Sequence, residues 1–140
     1  MEWNTVNASN DLERFNMQSA KSASMPLPIN VRLSQRDCPT SSPEGEDMKS
    51  LLYAPTVGSL MYAMVATRPD ISLVVGVVNR FMHNPGQLHW NAVKHVFKYL
   101  AGTKDRDILF GPNSTSGVVG YTNSDFAGCV DSRKSTTGYC

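Results

Sequence analysis

The sequence predicts an α+β chain, helical in its middle and β-stranded at its end, and three observations carry that prediction. Apolar residues recur at helical spacing from about residue 54 to 101, three breaks containing proline or glycine divide that stretch, and after Gly102 the pattern changes to short apolar runs separated by Gly, Ser, Asn and Pro. With 140 residues and 41% hydrophobic content, the chain is long enough for one domain with a core of its own.

The elements follow in order. Leu12, Phe15 and Met17 mark a short amphipathic segment behind Ser9 or Asn10, a marginal helix if it stood alone. Ser19 to Ser42 is rich in Ser and Pro and lacks periodicity, which predicts an extended, poorly ordered linker. Ser42-Pro43-Glu44 has the makings of a helix start, with a capping hydroxyl, Pro at the first position and acid in the first turn. Pro55 disfavours helix at Ala54 and removes a donor, so a kink or a fresh start is expected there, followed by an apolar helix through Val57, Leu60, Met61, Met64 and Val65. Thr67-Arg68-Pro69-Asp70 ends that helix and begins another, in which Ile71, Val74, Val75, Val78, Phe81 and Met82 keep helical spacing, although so many valines also tolerate a strand. Asn84-Pro85-Gly86 closes it. Trp90, Val93, Val96, Phe97 and Leu100 form one face of a third helix, with Gly102 where a left-handed C-terminal residue is wanted. Ile108-Leu109-Phe110, a strand around Val118 to Tyr121 and a further strand from Thr136 to Cys140 follow. The long linker and the short final strand both read as marks of an excised fragment.

A net charge of +1 gives no global case for nucleic acid or a membrane surface, but the charge is uneven. From Arg68 to Arg106 there are six bases against Asp70 and Asp105, a local excess of four. Cys38, Cys129 and Cys140 are odd in number and far apart, and His83, His89 and His95 are six residues apart, so neither a disulfide framework nor a metal site is expected. The first residues lack a basic start and an apolar run, and no stretch reaches the roughly 20 apolar residues of a membrane span. An intracellular protein with no membrane association and no small-molecule substrate is therefore expected.

Several spaced motifs sharpen this picture: Val57-Gly58-Ser59-Leu60-Met61-Tyr62, Thr67-Arg68-Pro69-Asp70-Ile71, His89-Trp90, Tyr99-Leu100-Ala101-Gly102-Thr103 and Asp131-Ser132-Arg133-Lys134-Ser135-Thr136-Thr137-Gly138-Tyr139. Together they closely resemble the Pol polyproteins of copia-type retrotransposons, and Leu12 to Met17 with Cys38-Pro39-Thr40 extend the likeness over residues 11–140. The resemblance implies an N-terminal segment and linker over 1–43, a helical reverse-transcriptase thumb-like region over 44–104, and the truncated first strands of an RNase H over 105–140.

In the parent family the thumb holds primer and template. Gly58 would permit close backbone approach and Tyr62, one turn on, would lie against sugars and bases, while Lys94, Lys98 and Lys104 would meet phosphates of an RNA/DNA hybrid. The bland alternatives are a packing glycine, a core tyrosine and a solvated lysine face. The Tyr-x-Asp-Asp type carboxylates of the polymerase are absent from the sequence.

The RNase H of the family uses Mg²⁺, and its first ligand is the first Asp of a Gly-Tyr-x-Asp-x-Asp strand. That position is Asn123 here, which has lost the charge a hard divalent cation needs. Asp125 is two residues further, about 6.6 Å along a strand, and is too far to substitute. The expectation is thus a non-enzymatic remnant with no cofactor and at most weak, non-specific nucleic-acid affinity. Similar segments also occur in proteins named as secreted RxLR-type effectors of oomycetes, which makes a host-interacting role the alternative. Arg32-Leu33-Ser34-Gln35-Arg36 does not match Arg-x-Leu-Arg.

Overall fold

Pro55 falls in the first turn of helix α1, Tyr53–Ala66, where an unsatisfied backbone donor is expected anyway, so it starts the helix afresh and does not kink it. The Thr56 hydroxyl donates back to the Leu52 carbonyl at that end. The structure is a computed structural model; it describes Glu13, residues 21–40, Met48, residues 51–106, Gly120 and residues 122–139. The segments expected around Leu12 to Met17, Ser42 to Glu44, Ile108 to Phe110 and Val118 to Val119 lie outside the described residues.

After α1 a 3-10 turn, Pro69–Ile71, leads into α2, Ser72–Asn79, and the Asn84-Pro85-Gly86 break separates that from α3, Gln87–Gly102. The valines of α2 form helix, because Val74, Val75 and Val78 place three side chains on one inward face. With Tyr53, Val57 and Leu60 of α1, Ile71, Phe81, and Val93, Val96, Phe97 and Leu100 of α3, they make a single core. Tyr53 carries its hydroxyl into that core and donates to the Val78 carbonyl at 2.8 Å, and burial pushes its pKa well above the ordinary phenol value, with Cys38 adding to the effect.

Residues 21–40, a strap laid against the helices, correct the expectation of a poorly ordered linker. They lack regular structure apart from a 3-10 turn at Gln35–Asp37, but they are docked. Ala23 N–H donates to the Lys98 carbonyl at 3.1 Å and His95 Nε2 lies 3.2 Å from the Met25 carbonyl. Leu33 is buried, and Ala23, Leu27, Val31 and Cys38 pack on the core. These apolar residues, spaced among serines and prolines, hold the segment to the core without regular structure.

Two glycines are required by this docking. A Cβ on Gly86 would stand 1.9 Å from the Asp37 carbonyl oxygen, and one on Gly102 would stand 2.7 Å from the Ser22 Cβ. Gly102 closes α3 in ordinary helical geometry, since no described glycine has positive φ; it is small because Ser22 crosses it, which corrects the left-handed role expected from sequence.

The chain divides into two compact units, Met1–Asp107 and Ile108–Cys140. In the second, strands β1, Thr122–Ser124, and β2, Thr137–Tyr139, pair antiparallel with Asn123 opposite Gly138. The connecting loop bonds to itself: Cys129 N–H to the Lys134 carbonyl, Arg133 N–H to the Cys129 carbonyl, and Ala127 N–H to the Ser135 hydroxyl. Ala127 and Arg133 both adopt positive φ, at 51° and 56°.

Candidate functional site

The most highly organised polar cluster is one that the sequence motifs contain but do not announce. Arg68 is 4% exposed, and Pro69 fixes the turn that brings Asp70 alongside it. Its guanidinium grips Asp70 with two bonds, Nε to Oδ1 at 2.9 Å and Nη2 to Oδ2 at 2.8 Å. The same guanidinium crosses to the end of α3, donating to the Thr103 carbonyl at 3.1 Å and the Thr103 hydroxyl at 2.7 Å. Tyr99 donates to Asp70 Oδ2 at 2.7 Å, Thr103 donates to the Tyr99 carbonyl at 2.8 Å, and the Arg68 cation sits 5.4 Å from the Tyr99 ring centroid.

Burial alone would push each charge toward neutrality, but the pair outweighs it. Arg68 is raised by the Asp70 bond and charge against desolvation, and Asp70 is held below the usual carboxylate range by Arg68 and Tyr99 against desolvation. Tyr99 is raised, first by burial and then by the carboxylate it bonds. The Thr67–Ile71 and Tyr99–Thr103 motifs are therefore two halves of one clamp, built on the buried Arg68 and the partly exposed Asp70, that ties the α1–α2 turn to the C-terminal end of α3.

The residues expected to meet nucleic acid fall into two sets. Gly58 and Tyr62 lie on the outward face of α1, whose inward face is Tyr53, Thr56, Val57, Leu60 and Ala63. A Cβ on Gly58 would meet nothing within 4 Å, and Tyr62 is 67% exposed, so neither the packing-glycine nor the core-tyrosine alternative holds. Lys94 and Lys98 are half-buried on the flank of α3, with Lys104 just beyond its end. The only ion pair among the described residues is Arg68–Asp70, so these three lysines are unpaired there.

The two hairpin residues weighed as metal ligands are organised differently. Asn123 is exposed in the middle of β1. Asp125 follows the strand, and its carboxylate accepts the Thr136 N–H while its own N–H donates to the Thr136 carbonyl at 3.0 Å. A Cβ on Gly128 would stand 2.0 Å from Asp125 Oδ2, so the carboxylate is folded into its own loop. Among the described residues no three His, Cys, Asp or Glu side chains are grouped to hold a metal ion. His83 is exposed, His89 is buried, accepting the Gly86 N–H at 2.8 Å and stacked on Phe81, and His95 is bound to the strap residue Met25. No helix among the described residues is long and apolar enough to cross a membrane.

Fold and site together define a small helical module locked by an ion pair whose arginine is buried, joined in sequence to a β-hairpin with an exposed amide at Asn123. The chain is 52% identical over 128 residues to the retrovirus-related Pol polyprotein from transposon TNT 1-94 of Nicotiana tabacum, a match covering 91% of this chain and 10% of the relative. It is 37% identical over 128 residues to the Pol polyprotein from transposon RE2 of Arabidopsis thaliana, covering 91% and 8%. It is also 45% identical over 92 residues to the secreted RxLR effector protein 161 of Plasmopara viticola, covering 66% of this chain and 65% of that one. No protein-family model and no solved structure matches the chain. Over nine-tenths of its own length the chain is similar to the Pol polyproteins of copia-type retrotransposons, and it spans about a tenth of the length of the polyproteins it matches.

Proposed function

We propose that the chain is a degenerate Pol remnant, thumb-like in its helical unit and RNase H-like in its hairpin, that performs no catalysis of its own and keeps a weak, sequence-independent affinity for RNA/DNA hybrids. The observation that carries the proposal is the commitment of Asp125 to the Thr136 N–H beside a neutral Asn123. Two-metal hydrolysis needs several charged oxygens converging on cations about 3.5–4 Å apart, and this pair offers one carboxylate already engaged within its loop. Affinity would come from lysines meeting phosphates, the part of nucleic-acid binding that needs no base readout.

The test is titration of a labelled RNA/DNA hybrid with the full chain over a salt series in Mg²⁺. Binding that weakens linearly in log salt, with intact RNA, is the expected result; salt-independent binding or no binding removes the affinity half of the proposal.

The likeness to a secreted effector favours a second reading, in which the chain binds a host protein. Helix α1 carries no charged residue, and its outward Met61, Tyr62 and Val65 are exposed, at 38%, 67% and 80%. Loss of partner capture on Tyr62→Ser together with Val65→Ser, with hybrid binding unchanged, would support that reading over the first.

A further inference from the structure

We infer that Lys21, carried by the docked strap, is part of the same phosphate-contacting surface as Lys98 and Lys104, so that the surface is assembled from two segments nearly eighty residues apart. This rests on the nucleic-acid reading above and extends it to a residue and a fold contact that the lysine spacing on α3 does not reveal.

The placement comes from the strap's anchors. Ser22 crosses Gly102 so closely that a Cβ there would overlap it, and Ala23 N–H bonds the Lys98 carbonyl one turn earlier on the same helix. Lys21, the next residue along, is exposed and lies within one Cα–Cα step, about 3.8 Å, of Ser22. The strap runs from Ala23 at Lys98 to Ser22 at Gly102, so Lys21 is delivered to the C-terminal end of α3, the end that the Lys104 turn follows. That end is also the negative pole of the helix, which favours a cation.

The charge pattern favours a polyanion as occupant. Helix α3 contains no acidic residue, and neither does the strap from Lys21 to Arg36. None of Lys21, Lys94, Lys98 and Lys104 is ion-paired among the described residues. The nearest acid in sequence, Asp105, is followed at once by Arg106. Ammonium groups without an acidic partner, on one helix flank and on the segment docked to it, suit a nucleic-acid backbone, where each phosphate contact releases a counterion.

The experiment is the slope of log binding constant against log salt for the full chain with a labelled RNA/DNA hybrid. Each lost phosphate contact lowers that slope by about 0.7 to 0.9. Lys21→Ala is expected to lower it by about that amount, like Lys98→Ala, and Lys21→Arg to leave it unchanged. Ala23→Pro keeps every charge but removes the N–H that holds the strap to Lys98. It is expected to lower the slope as well, with helical ellipticity retained, which separates position from charge alone. If the native chain and Lys98→Ala differ while Lys21→Ala and Ala23→Pro match the native slope, this inference is wrong and the nucleic-acid reading stands. If the native chain binds without salt dependence or not at all, both fall.

Discussion

Asp70→Ala is the perturbation that tests the Arg68–Asp70–Thr103 clamp most severely. It leaves the Arg68 guanidinium, 4% exposed, without the two charged bonds at 2.9 and 2.8 Å, and leaves the Tyr99 hydroxyl without its acceptor. Hydrogen bonds to a charged group contribute about 1.5–3 kcal/mol each, and breaking a buried pair from one side costs about 3–5 kcal/mol. The Asp70 side chain is 39% exposed, so solvent screening discounts the Coulomb part, and Arg68 keeps both Thr103 contacts. The expected loss is therefore about 2–4 kcal/mol, read as a lower midpoint in urea unfolding followed by far-UV ellipticity. Tyr99→Phe removes a single bond and should cost about 1 kcal/mol. Because Arg68 Nη2 and the Tyr99 hydroxyl share Asp70 Oδ2, the double variant should cost less than the two single losses added. An Asp70→Ala midpoint within about 0.5 kcal/mol of the native value would refute the clamp as a stabilising element.

Other outcomes follow from the same geometry. Gly86→Ala should cost about 1–3 kcal/mol, because its Cβ meets the Asp37 backbone, whereas Gly58→Ala, on an open helical face, should stabilise by up to about 1 kcal/mol; both are read by thermal unfolding. Since Asp70 is held below its ordinary pKa, its contribution to stability is fully present above the unfolded value of about 3.9 and disappears as pH falls through the lower folded value; Asp70→Asn should flatten that part of the acid-unfolding profile. Asp125→Ala should speed amide exchange at Thr136 on the order of tenfold, the equivalent of one net hydrogen bond of about 1.4 kcal/mol, without altering exchange in α3.

The helices were legible because each rests on local rules. Pro55 at a helix start, the Asn84-Pro85-Gly86 break and the inward faces of α2 and α3 follow from backbone sterics and a period of 3.6 residues. What escaped sequence reasoning is long-range. Arg68 and Thr103 stand 35 residues apart, and nothing in either motif says that one bonds the other. Gly102 looked like a left-handed cap because its neighbour Ser22 is eighty residues away, and the strap looked like a linker because Leu27, Val31 and Leu33 are sparse among prolines and serines. At the hairpin, the neutral amide of Asn123 is readable from one letter, while the turning of the Asp125 carboxylate to Thr136 requires the register of β1 on β2.

The most direct test of the central claim is cleavage of a labelled RNA/DNA hybrid by the native chain and by Asn123→Asp, each in excess over substrate in Mg²⁺. The account predicts intact RNA from both, because restoring one carboxylate does not free Asp125 from the Thr136 N–H or supply the further ligands two-metal hydrolysis needs. Metal-dependent cleavage by the native chain would contradict it.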